Sequence, residues 1–185
     1  YITVSGSFTA AKNDTITVTL TYAGAGWDGT TKTKPAQDES GVYLIDTAAK
    51  LAWFADAVNK GGTTISGKLT ANINLNGKTW TAIGTSSNKF AGTLDGDEAH
   101  HYTVSGLKGS KGLFDYVDST GKVKNLSVDA VLTADGVVGG IVGEWHGGVL
   151  SHVQSASGNT LWGVVDMAVT ASHDAARVST VTPAY

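Results

Sequence analysis

"YTVSGLKG" at residues 102–109 decides the fold when set beside "GKVKNLSV" at 121–128 and "GGVLSHVQ" at 147–154. Aligning Val104, Val123 and Val149 brings Leu107, Leu126 and His152 to one position. A flat strand repeats its inward residues two apart, whereas these apolar positions lie three apart. One residue must therefore be absorbed in a bend. Gly106 and Asn125 are the residue types that tolerate left-handed backbone there. A second pair, "GLFDYV" at 112–117 and "GGIVGEW" at 139–145, lays Leu113 over Ile141. Strand, bend, strand and glycine turn recur at intervals of about 19 to 26 residues, which predicts the stacked coils of a solenoid. A single coil cannot bury its apolar edge, but a stack can.

Outward from this core, residues 46–59, "DTAAKLAWFADAVN", predict one helix. Asp46 or Thr47 can accept its first free N–H groups, and Gly61 and Gly62 end it. Leu51, Phe54, Ala55 and Val58 fall on one stripe, which needs an apolar end of the β-structure to cover. "YITVSGSF" and "TITVTLTY", within residues 1–22, alternate as a pair of strands. The intervening 23–41, rich in Gly, Thr and Lys and carrying Pro35, reads as a loop. The predicted division is a strand pair over 1–26, a linker loop over 27–40, and a capped repeat domain over 41–185 with an irregular end.

Composition narrows the function. The 185 residues are 41% hydrophobic and 16% charged, which suits a folded chain rather than a disordered one. A net charge of -3 supplies no basic surface for nucleic acid or anionic lipid. No apolar run is long enough for a membrane helix, so no insertion is expected. Without cysteine there is neither a disulfide framework nor a thiolate zinc site. The chain starts at Tyr1 and reads as an excised, monomeric piece of a longer protein.

The order of these pieces resembles a known family. "GVYLIDTAAKLAWFADAVN", "KLTANINLNGKTWTAIGTSSNKFAGTLDG", "YTVSGL", "GLFDYV", "GKVKNLSV" and "VVGGIVG" are similar to the glycine-rich GLUG-type repeats of bacterial surface proteins, over roughly residues 41–155. The resemblance implies a mainly β fold: a short right-handed parallel β-helix with an N-terminal capping helix, to which the first two strands add a hairpin. It implies an extracellular place on the bacterial surface, in adhesins or beside immunoglobulin-cleaving peptidase domains. It brings no catalytic set. Two departures are "DEAHH" after "LDG", longer than the short Gly/Asn/His turn usual there, and the loss of the repeat beyond residue 155.

That longer turn makes "LDGDEAHHYTVSGL", 94–107, the one crowd of acids and imidazoles. Asp-Gly is a turn signal, so the cluster is expected on an exposed turn between strands. Asp95, Asp97, His100 and His101 are the metal-ligand candidates, but adjacent histidines on extended backbone point apart. Asp115, Asp118, Asp129 and Asp135 show no paired spacing for glycoside chemistry. No nucleophile turn appears, and "GVVGGIVGEWHGG" lacks the features of a phosphate loop. His152 is expected buried or half-buried in place of an apolar residue and bonded to backbone, and Trp53 and Trp80 are expected to be structural.

The remaining indoles are the contact candidates, since an exposed indole on a rigid scaffold can stack on sugar or anchor a protein. Trp27, Glu144, Trp145, His146 and Trp162 make up the expected ligand surface. The expectation is a non-enzymatic adhesion or spacer module that needs no cofactor or metal, with a host protein, such as an immunoglobulin, or a host glycan as partner. The alternatives are a carbohydrate-active β-helix enzyme and an accessory domain of a secreted immunoglobulin protease.

Overall fold

Two periods share this chain, and each finds its element. The 3.6-residue stripe forms α1 (Ala48–Asn59), with Leu51, Phe54, Ala55 and Val58 all buried. Thr47 is its N-cap, accepting the Lys50 N–H, and Gly61 follows the cap Lys60 with φ 109°. The rest is β. The computed structural model describes residues 26–132, 140–156 and 164–165. The strands are β1 (Tyr43–Ile45), β2 (Gly67–Leu69), β3 (Ile73–Asn74), β4 (Thr93–Asp95), β5 (Thr103–Gly109), β6 (Phe114–Val117), β7 (Lys122–Leu132), β8 (Val142–Trp145), β9 (Val149–Ala156) and β10 (Val164–Val165).

Parallel pairing joins these strands into one curled sheet and a smaller second one. In the first, β1, β2, β4, β7 and β9 stand side by side, while β3 and β5 join along the second half of β7. In the second, β6 pairs with β8, and bridges tie Ile83 to Phe114 and Phe90 to Val117. Only β10 runs antiparallel among the described strands, against β9. Parallel neighbours require long crossovers. The β1–β2 crossover is the helix α1, and the later returns pass through the second sheet or the segment bridged to it.

The interior is one continuous apolar cluster. Leu94, Val123 and Leu150 stand in register and are buried, as do Ile73, Val104 and Val128 one column further on. Gly67 shares the register of Leu94, and a Cβ there would lie 3.0 Å from the Phe54 ring. The missing side chain lets the helix drive Phe54 into the end of the stack. Phe54 meets Phe90 at 6.0 Å and Phe90 meets Phe114 at 5.1 Å, so aromatic packing links the helix to the second sheet. Asn59 fixes the helix's other end by donating to Ala82 O and accepting from Gly84 N.

The bends fall where left-handed backbone was expected, with φ 66° at Gly106 and 56° at Asn125. Leu113 and Ile141 are neighbours, as expected, one residue before the Phe114–Val142 pair. Two expectations about register need correction. Val104 pairs with Val128 rather than stacking on Val123, and Val149 pairs with Lys122. The column through Val123 continues into Leu150, which alternation turns inward. His152 consequently takes the bend, exposed and with φ 50°, instead of an interior position. Gly67, Leu94, Val123 and Leu150 mark the true return, a circuit of about 28 residues.

Residues 27–40, expected as a linker loop, form a strap that is mostly exposed but tied to the body at Trp27 and Pro35 and by backbone hydrogen bonds. Thr33 N–H reaches Ala49 O at 3.0 Å, Leu44 N–H reaches Ala36 O at 2.9 Å, and Pro35 is buried. The strand pair expected within 1–22 lies outside the described residues.

Candidate functional site

The acid–imidazole stretch builds an ordered turn. β4 ends at Asp95, and the Tyr102 N–H closes the loop onto Gly96 O at 2.9 Å. Asp97 holds the loop's shape with φ 71°. Its Oδ1 accepts from the N–H groups of Ala99 and His100 at 3.1 and 3.2 Å and lies 2.7 Å from His100 Nδ1. Its Oδ2 meets Lys68 Nζ at 2.7 Å. Asp95 accepts from Asn125 Nδ2 at 2.9 Å and pairs with Lys124 Nζ at 2.9 Å. Both acids are thus bound to lysines on neighbouring strands, where the sequence placed them on a solvated turn.

Register explains the pairing. Lys68, Asp95 and Lys124 are cross-strand partners, so opposite charges alternate across the sheet's outer surface. Lys68, then His100, hold the Asp97 carboxyl well below the usual carboxylate range. The Lys68 ammonium is raised by Asp97 in return. Burial pushes Asp95 upward, but Lys124, Asn125 and the Asp97 N–H outweigh it and leave that carboxyl lowered. An ionised carboxylate has about four lone-pair sites. Asp97 has four donors on its two oxygens.

The two adjacent histidines do diverge, although the backbone is not extended: His101 has φ 49°. The His100 ring stacks on Tyr102, 5.0 Å away and nearly parallel, while His101 meets His152 edge-on at 6.5 Å. Asp95, Asp97, His100 and His101 therefore do not converge on one point. Among the described residues no group of three or more His, Asp or Glu side chains is placed to hold a metal ion. Of the scattered acids, Asp115 pairs with Lys111, and Asp118 folds the 118–121 turn by accepting from Thr120 N. Asp135 lies outside the described residues, as do His173 and Asp174.

The contact candidates separate. Trp27 is inside: it is 9% exposed, crosses Trp80 edge-on at 5.9 Å and donates its indole N–H to Thr31 O at 2.8 Å. The strap wraps it against the body, which removes it from the contact surface. Trp80 is buried, as expected, and donates to Leu113 O at 3.0 Å. His146 is half-buried and stacks on Tyr116, with ring centroids 6.1 Å apart. Lys111 Nζ lies 6.0 Å from the Tyr116 centroid. The backbones of Glu144 and Trp145 pair with Tyr116 and Val117. Their side chains lie outside what the structure describes, as does Trp162 altogether.

Tyr116, Lys111 and Lys68 were not among the sequence candidates. Only strand register, which puts residue 116 beside 144 and residue 68 beside 95, brings them into play. Among the described residues no helix is long and apolar enough to cross a membrane. Comparison with protein-family models, with curated proteins and with solved structures found no match.

Proposed function

We propose that the curled sheet belongs to a short right-handed parallel β-helix, and that the chain is a GLUG-type repeat module of a bacterial surface protein. Its role is non-enzymatic: a stiff extracellular spacer whose flank contacts a host protein or glycan. The observation that carries this reading is the in-register parallel stack from β1 to β9, filled by one apolar cluster. Side chains on such a stack hold their positions before a partner arrives, so association loses little conformational entropy. The outer rows suit contact, with Asn74 beside Ser105 and Thr103 beside Ser127.

The contact patch centres on the Tyr116–His146 stack with Lys111 alongside. Aromatic faces beside the Lys111–Asp115 pair fit a sugar ring, stacked on one side and hydrogen-bonded on the other. A panel of host glycans and serum proteins tests this with Tyr116→Ala beside the parent chain. Saturable binding to a panel member, weakened about tenfold or more in the variant, is the expected result. No binding across the panel, or cleavage of any polysaccharide in it, overturns the reading.

A further inference from the structure

His101 and His152 are 51 positions apart in the chain, yet their rings meet at 6.5 Å on one outer corner of the sheet. Both are exposed, and both hold left-handed backbone, φ 49° and 50°. That conformation is uncommon outside glycine, and such residues persist where the surrounding structure holds them, often at ligand sites. Asn125, in the same bend one strand inward from His152, has the same backbone sign but turns its amide to Asp95. The two histidines instead turn toward each other.

We propose that His101 and His152 together bind a borderline divalent metal ion of the zinc class, with solvent completing its coordination. Imidazole nitrogens bind such an ion at about 2.0–2.1 Å. Two rings sharing an ion then have centroids roughly 5 to 6 Å apart. The observed edge-on pair, at 6.5 Å, stands close to that separation, and both side chains are exposed. Each imidazole carries two nitrogens, so one can keep a hydrogen bond while the other ligates. The corner does not repel a cation, because Lys68 and Lys124 beside it are matched by Asp97 and Asp95. An ion there would tie the 96–102 loop to β9, two strands away.

Calorimetric titration of the full chain with ZnCl2 in a non-chelating buffer tests the site. His101→Asn and His152→Asn keep residue types that accept left-handed backbone, and His100→Asn removes the neighbouring imidazole that faces Tyr102. One equivalent of zinc should bind the parent chain and His100→Asn alike, reversibly with EDTA. Each of the other two variants should bind about tenfold or more weakly. Circular dichroism checks that all three stay folded, and glycine at the same position replaces any asparagine variant that does not. Absence of binding, binding retained in both variants, or loss in only one of them overturns the shared site.

Discussion

Leu94, Val123 and Leu150 lie one residue away from Asp95, Lys124 and Ser151 along the same strands, and the two rows are held by different physics. The inner row is packed out of water, and its strength scales with the volume filled. The outer row alternates Lys68, Asp95 and Lys124 in half-exposed pairs whose individual worth is about 0–1 kcal/mol. Stability therefore resides inside, while sensitivity to pH resides outside. A single step along the backbone separates the two.

The largest break in that contrast should come from Leu94→Ala. It empties a fully buried site between Gly67 and Val123, where neighbours on rigid strands collapse poorly. A loss of about 2–5 kcal/mol is expected, read as a lower denaturant midpoint at unchanged slope. Next comes Gly96→Ala, at the joint between the rows. An added Cβ would lie 2.1 Å from Asn125 O and 2.4 Å from Leu126 Cβ, forcing β4 away from β7. Overpacking of this kind costs about 1–3 kcal/mol, which thermal melting measures.

Asp97→Asn should have the smallest effect at neutral pH and the clearest signature in acid. Because Lys68 and His100 depress the folded carboxyl, its contribution is complete above the unfolded value of about 3.9 and is lost as pH falls through the lower folded value. Asparagine tolerates the left-handed backbone at this position. The parent chain should be the more stable at pH 7, with the gap closing as pH drops below about 4. Parallel stability–pH curves for the two proteins would contradict the assignment.

Local rules made the helix and the bends readable. Thr47, the apolar stripe and Gly61 define α1 without reference to anything distant, and Gly106 and Asn125 declare their backbone by residue type. Register was not readable, because one circuit contains two bends built alike. "VKNL" at 123–126 turns from the first column to the second, whereas "VSGL" at 104–107 bulges within the second. Overlaying them shortens the first apparent repeat to 19 residues and leaves the second, at 26, one short of the true return to Leu150. The candidate site suffered from the same ambiguity. The acids of the 94–101 stretch were visible, but their lysines arrive from strands whose alignment only the structure supplies. Trp27 looked exposed in a glycine-rich loop because nothing local announces that the strap folds back on Trp80.

The regular return of the chain to one column works as a ruler. Each pass of about 28 residues widens the sheet by a single inter-strand spacing, about 4.8 Å. Duplicating or deleting one whole pass would change reach by that increment while preserving every side-chain direction, whereas a shorter insertion must bulge out at a turn. Length in such a molecule is consequently quantised, and the pass that holds the "DEAHH" loop illustrates the permitted exception: 29 residues from Leu94 to Val123 against 27 from Val123 to Leu150, with the strands on either side still aligned.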